Sequence, residues 1–237
     1  MNTIALITGA NKGLGHEAAR RLADEGWTVL LGARDRGRGA QAAAELSAAD
    51  ADVRCVQIDV TSRESVDAAA DHVAAEFGRL DVLVNNAGVI GSRLSPRDIS
   101  GEDMREGFET NVFGPVTVTH AFLPLLDKSK SPRIVMVSSG MGSLAVTTDP
   151  DRIESTIVSV GYPPSKSALN MIASQYAKAR PAYRVNAVDP GYTATDLNDH
   201  SGLQTVREGT DAIVAMAMVA PDGPTGAFTD RTGAVPW

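Results

Sequence analysis

The chain of 237 residues predicts a doubly wound α/β fold: one parallel sheet with helices on both faces. Three observations predict it. Short apolar runs rich in β-branched residues alternate with stretches of helical period. These runs are continuously apolar rather than alternating, as strands covered on both faces are. The first run leads through a glycine cluster into a helix, the arrangement that holds a diphosphate.

The elements follow in order. Residues 3–8, T-I-A-L-I-T, read as the first strand, and residues 9–15, G-A-N-K-G-L-G, as the turn. Gly9 can supply the tight turn; Gly13 and Gly15 let backbone approach phosphate and let the helix pack on the strand. Unpaired N–H groups at the helix start then face the anion. The helical pattern covers residues 17–24 and ends at Gly26. Residues 27–31, 53–58 and 80–84 give strands two to four. Helices are expected between them at 36–50 and 63–77, the latter capped by Thr61 or Ser62 and ended by Gly78. Residues 89–100 read as loop, and 102–126 as broadly helical with interruptions at Gly107, Gly114 and Pro115. The fifth strand is 133–137, followed by a serine–glycine loop at 138–143. Residues 144–161 lack a clean period: 147–151 read as exposed loop and 152–160 as a short helix. A long helix is expected at 163–178, its prolines tolerated in the first turn, then a sixth strand at 184–188. Residues 192–204 read as polar and mobile, 205–218 as the last helix and 226–229 as a seventh strand. Neither a linker nor a repeat divides the chain, so a single domain is expected.

Composition narrows the function. The hydrophobic content of 43% suits a globular domain. A net charge of −7 argues against a broad phosphate-binding surface, and no nucleic-acid partner is expected. Cys55 is the sole cysteine, which excludes an intrachain disulfide and a cysteine metal cluster; in V-R-C-V-Q it reads as a buried thiol. The histidines, at 16, 72, 120 and 200, show no metal-ligand spacing, so no metal is expected. No apolar run approaches the ~20 residues of a membrane span, and no signal-peptide pattern is seen. A cytoplasmic setting without membrane partners is expected.

Several motifs occur together and in order. Thr8 to Gly15 reads T-G-A-N-K-G-L-G, Asn85 to Gly88 reads N-N-A-G, and Tyr162 to Lys166 reads Y-P-P-S-K. Asn111, Ser139 and a Pro190-Gly191 turn lie between and after them. Across nearly its whole length the chain resembles the classical short-chain dehydrogenases/reductases, with their Rossmann-type fold. Lys12, the G-A-R-D turn and the closing V-P-W resemble the NADPH-dependent carbonyl reductases within that family. The resemblance implies cofactor binding mainly by residues 1–140, and catalytic and substrate elements mainly in 139–237. One departure is the separation of Ser139 and Tyr162, longer than the family's usual spacing. The extra segment falls within 145–160, where the carbonyl reductases carry a larger insertion. It is expected at the mouth of the site and beside the helix face the family uses to assemble, so a monomer or homodimer is expected.

The residues suit carbonyl chemistry, which needs a hydride donor and a proton donor at one carbonyl. Tyr162 and Lys166 are four apart at a helix start and share a face. A free tyrosine, pKa ~10, is a poor acid–base near neutrality; an adjacent cation favours its phenolate. Lys166 can supply that cation, and the resemblance implies that it also holds the nicotinamide ribose. Tyr162 then donates a proton to the forming alkoxide, or removes one from an alcohol. Ser139 can hydrogen-bond the carbonyl oxygen, with Ser138 the alternative. Asn111, poorly suited to a helix interior, points to a kink that holds water; the resemblance implies a proton relay to Lys166.

The remaining candidates concern the cofactor. Asn86, Ala87 and Gly88 follow the fourth strand at its carboxyl end, where ligands collect. The resemblance gives Asn86 two possible parts, bracing the fourth strand or touching adenosine ribose. Asp59 and Val60 resemble the pair flanking adenine; Pro190, Gly191 and Thr193 resemble the segment bonding carboxamide and diphosphate. The glycine loop itself contributes Gly9, Asn11, Lys12, Gly13, Leu14 and Gly15. An NAD site normally carries a carboxylate at the end of the second strand. Here that strand reads W-T-V-L-L-G-A-R, ending in Arg34 with Asp35 only afterwards. Arg34, with Lys12 reaching the same group, suits a 2′-phosphate, so NADP is the expected cofactor. The expected activity is NADPH-dependent reduction of a ketone, aldehyde or quinone. Oxidation of a secondary alcohol is the alternative, and a non-catalytic NADP-binding protein a distant third. The expected pocket wall includes Val89, Ile90, Leu94, Met141, Leu144 and Tyr192, and is apolar, so an apolar carbonyl or alcohol is the expected substrate.

Overall fold

The computed structural model describes residues 2–47 and 51–237. Its strands are β1 Ile4–Ile7, β2 Thr28–Ala33, β3 Val53–Gln57, β4 Val82–Asn85, β5 Arg133–Val137, β6 Arg184–Val188, β7 Phe228–Asp230 and β8 Gly233–Ala234. They form one sheet in the order β3-β2-β1-β4-β5-β6-β7-β8. All neighbours run parallel except β8, which turns back against β7. The fold is thus the expected Rossmann-type single domain. Strand order reverses beside β1, where Ile7 pairs with Leu31 of β2 and with Val84 of β4. Ligand crevices form at such a switch point, beyond the carboxyl ends of the strands.

β1, β2, β4, β5 and β6 bury both faces because alternate side chains enter different cores. Leu6, Leu30, Leu83 and Ile134 join a core with Val66 of α3 (Arg63–Phe77), Phe122 of α5 (Gly114–Leu126) and Leu169 of α7 (Tyr162–Ala179). Ile7, Leu31, Val84 and Val135 join the other, with Leu22 of α1 (Gly13–Asp24), Leu46 of α2 (Arg36–Ser47) and Ile213 of α9 (Asp211–Ala217). α3 is capped by Ser62, whose hydroxyl accepts from Ser65 N at 3.2 Å, and it stops at Gly78 in the left-handed region. No helix among the described residues is long and apolar enough to cross a membrane.

Several boundaries differ from the sequence expectation. α1 starts at Gly13, four residues before its apolar pattern, because its first turn is glycine-rich and carries no apolar period. The end expected for α2, at 48–50, lies outside the described residues. The interrupted stretch at 102–126 is α4 (Arg105–Phe108), a π-helical turn (Glu109–Phe113) and α5. Thr147 and Thr148, expected in a loop, complete α6 (Leu144–Thr148), which Ser143 caps by accepting from Val146 N at 3.0 Å. The expected helix at 152–160 is one 3-10 turn, Ile153–Thr156. The expected last helix breaks at Thr210 into α8 (Val206–Gly209) and α9. β8, two residues long, carries no readable pattern. Residues 192–204, expected to be mobile, form a hydrogen-bonded loop: Ala194 N donates to Gln204 O at 2.9 Å and Gln204 N to Tyr192 O at 3.1 Å.

Candidate active site

The glycine spacing has a steric cause at each position. Gly9 has φ +63°, and a Cβ there would sit 2.9 Å from Ala87 Cα. Gly13 has φ +58°, a conformation L side chains rarely adopt. A Cβ on Gly15 would meet Asn86 Nδ2 at 2.5 Å and Gly9 O at 2.9 Å. These contacts draw the loop after β1 onto the loop after β4. Thr8 fastens the two: its hydroxyl accepts from Asn86 N and Ala87 N, both at 3.0 Å. Asn86 Nδ2 donates to Thr8 O at 2.8 Å and Gly9 O at 3.2 Å, so the amide braces the loops. Lys12 precedes α1 without a side-chain cap, and the first turn holds no acidic residue. That turn can therefore receive a diphosphate.

A groove of about 880 Å³ runs along this switch point. Gly9, Asn11, Lys12, Gly13, Leu14 and Gly15 line one wall. Asn86, Ala87 and Gly88 line another, with Arg34, Asp59 and Val60 further along. Arg38 also lines it, a residue the sequence reading did not select. Arg34 precedes α2 and Arg38 lies in its first turn, so their meeting in the groove comes from the fold. Asp35, the carboxylate that could compete for a ribose, also lines the groove, and its Oδ1 accepts from Arg38 N at 2.8 Å at the start of α2. Lys12 Nζ donates across the groove mouth to Asp196 at 2.7 Å. Pro190, Gly191 and Thr193 stand outside the groove lining; Thr193 is buried and its hydroxyl donates to Pro190 O at 3.0 Å.

The second cluster adjoins the groove at Gly88. A Cβ on Gly88 would lie 3.4 Å from Asn111 Oδ1 and 3.5 Å from Lys166 Nζ. Asn111 sits in the π-helical turn, 1% exposed. The kink expected there is present. Its Oδ1 accepts from Val89 N at 2.9 Å; its Nδ2 donates to Val89 O at 2.8 Å and Ser165 Oγ at 3.0 Å. α7 brings Lys166 Nζ to 5.7 Å from the centre of the Tyr162 ring. Lys166, 4% exposed, donates to Val137 O at 2.9 Å.

The two serines after β5 separate cleanly. Ser138 is buried, and its hydroxyl donates to Lys166 O at 3.4 Å. The Ser139 side chain accepts from Met141 N at 3.2 Å and acts on the Tyr162 phenol, favouring its ionised form. Gly142 holds this loop on α7, because a Cβ there would lie 2.7 Å from the Lys166 carbonyl carbon. Its carbonyl accepts from Ser167 Oγ at 2.9 Å and Asn170 Nδ2 at 3.2 Å.

Burial dominates the electrostatics. It pushes the Tyr162 phenol up to about 12, opposed by the Ser139 side chain and reinforced by the Asp189 carboxylate. It pushes the Lys166 ammonium down to about 8, opposed by Asp189. The phenol is thus raised, not lowered as expected from the neighbouring Lys166, and burial is the largest cause. Tyr162 is protonated throughout the neutral range and can donate.

The chain belongs to the short-chain dehydrogenase family. The model for "short chain dehydrogenase" matches residues 3–205. It is an oxidoreductase of that family acting on carbonyl or alcohol groups. The (+)-neomenthol dehydrogenase of Arabidopsis thaliana is 34% identical, the match covering 96% of this chain and 95% of that one. Among solved structures, salutaridine reductase from Papaver somniferum superposes with a TM-score of 0.84 at 31% identity, over 97% of this chain and 99% of that one. The NADPH-bound carbonyl reductase from chicken fatty liver superposes at 0.87 with 26% identity, over 100% of each chain.

Proposed function

We propose that the protein is an NADPH-dependent reductase of a ketone, aldehyde or quinone. The observation that carries this reading is the protonated Tyr162 beside Ser139 and Lys166, next to a groove with Arg34 and Arg38 in its lining. The glycine loop, with no side chain filling it, would hold the diphosphate. Arg34, Arg38 and Lys12 would hold the 2′-phosphate, and Asp59 and Val60 would flank adenine. Lys166 would hold the nicotinamide ribose, and the Pro190–Thr193 segment the carboxamide. The bound nicotinamide supplies the hydride.

The protein groups then handle the oxygen. Ser139 hydrogen-bonds the substrate carbonyl and orients it. Tyr162 donates its proton to that oxygen as negative charge develops, giving the alcohol. The Lys166 ammonium favours the phenolate left behind. Asn111, adjoining Lys166 through Gly88, would return the proton by way of water.

The substrate is an apolar carbonyl compound. Leu94, Leu144, Ile153, Ile157, Val158 and Tyr192 are exposed large apolar side chains, several of them on the extra segment. Such a surface suits an apolar ligand. Names such as neomenthol dehydrogenase and salutaridine reductase belong to relatives acting on compounds of that kind. The former name also supports the second reading, oxidation of a secondary alcohol by the same residues in reverse. The chain is a monomer or homodimer in this reading; a stable tetramer in light scattering would contradict that. The functional test is NADPH consumption with a panel of ketones, aldehydes and quinones, alongside alcohols with NADP. Absence of turnover with every carbonyl, despite measured NADPH binding, overturns the reading.

A further inference from the structure

Asp189 ends β6 and is 7% exposed. Its Oδ1 accepts from Gly191 N at 2.9 Å. The backbone N–H of Gly140 also acts on this carboxyl. Asp189 Oδ2 lies 2.8 Å from where a Cβ on Gly140 would stand, so only glycine leaves it this place. One carboxylate thus joins two loops: the one carrying Ser139, and the turn at Pro190-Gly191. Burial pushes the Asp189 carboxyl up, and the N–H groups of Gly191 and Gly140 oppose that rise. Other charged groups surround it. Glu154 of the extra segment and Asp230 of β7 act on it, and it acts in turn on Arg152. Its charge is also felt by Tyr162 and Lys166 of α7.

We infer that Asp189 is a positioning residue for the reduction: its side chain ties the Ser139 loop to the Gly191 turn. This rests on the reading of Ser139, Tyr162 and Lys166 as the reacting set. The geometry sets the expected behaviour of Asp189→Asn. One oxygen becomes an amide nitrogen, so one of the two N–H groups meets a donor instead of an acceptor. The Ser139 loop loosens, and the negative charge next to Tyr162 and Lys166 is lost.

The experiment compares the wild type, Asp189→Asn, Gly140→Ala and Tyr162→Phe. It reads NADPH dissociation constants by fluorescence, kcat and KM with one accepted carbonyl, and the pH dependence of kcat. Asp189→Asn should weaken NADPH binding by a smaller factor than it lowers kcat, because among the cofactor-holding segments it touches only the Gly191 turn. Its kcat should fall tenfold or more, and its pH profile should move to lower pH by roughly half a pH unit or more. Gly140→Ala keeps the charge but displaces it, and should lose kcat with a smaller movement of the profile. It carries the test should Asp189→Asn fail to fold. A merely structural role leaves the profile in place. Superimposable profiles, or an unchanged kcat in both variants, overturn the inference. Full activity in Tyr162→Phe would instead overturn the reacting set itself, which separates the two failures.

Discussion

Lys12 of the glycine loop donates to Asp196 at 2.7 Å, and the opposite carboxylate oxygen lies 3.0 Å from His200 Nε2. The pair spans the groove mouth, from the start of α1 to the 192–204 loop. Both side chains are more than half exposed, so the bridge is weak and a phosphate can replace it. Asp196→Asn should free Lys12 for the cofactor. NADPH should bind up to about fivefold tighter, with NADH unchanged. Fluorescence titration measures both. Weaker NADPH binding would mean that Asp196 helps to hold the cofactor.

The proposed preference for NADPH rests on Arg34 and Arg38 in the groove lining, which Asp35 shares. A charge-assisted bond contributes ~1.5–3 kcal/mol. Arg34→Ala should therefore weaken NADPH by about ten- to a hundredfold and NADH much less. Arg38→Ala should act in the same direction. Equal losses for both cofactors would contradict the 2′-phosphate assignment.

Asn86 should matter more for stability than for cofactor contact. Its amide makes two hydrogen bonds to buried loop carbonyls, those of Thr8 and Gly9. Asn86→Ala leaves both acceptors without this donor, costing ~1–3 kcal/mol. Tm should fall by roughly 2–4 °C per kcal/mol for a domain of this size. An unchanged Tm with lost NADPH affinity would assign the amide to the ribose instead.

The pH dependence follows from Lys166, pushed down to about 8, and Tyr162, pushed up to about 12. Reduction needs the phenol protonated and the ammonium charged, so its kcat should decline as pH rises through about 8. Alcohol oxidation needs the phenolate and should still rise above that pH. Stability should move in its own way. The unfolded chain holds the Lys166 proton more tightly than the folded one, so this group makes stability rise from pH about 8 towards about 10.5. The raised Tyr162 acts in the opposite sense, from about 10 towards about 12. Denaturant midpoints of wild type and Lys166→Met across this range isolate the lysine's contribution.

Much of the fold was legible because the central strands β1, β2, β4 and β5 are largely apolar runs. β5 and β6 have the expected bounds, as does α3 with its Ser62 cap. Residues 144–160 were less legible, since α6 is held by the Ser143 cap and by Ala145 N donating to Trp237 O at 3.2 Å. Contacts between residues so far apart leave no local period. In the site, the glycine loop, Ser139, Tyr162 and Lys166 lay in readable motifs. Arg38, Asp189 and the Lys12–Asp196 pair did not, because their meaning comes from the loop or groove they meet in space. The direction of the Tyr162 pKa was also hidden: spacing shows the neighbouring cation, while burial is visible only in the fold.

The most direct test of the account is turnover by Tyr162→Phe. The substitution removes one hydroxyl and leaves the groove lining intact. Wild type should consume NADPH with an apolar ketone, aldehyde or quinone. Tyr162→Phe should bind NADPH with nearly unchanged affinity and lose at least a hundredfold in kcat, the scale of a general-acid contribution. Turnover at the wild-type rate by the variant would contradict the account.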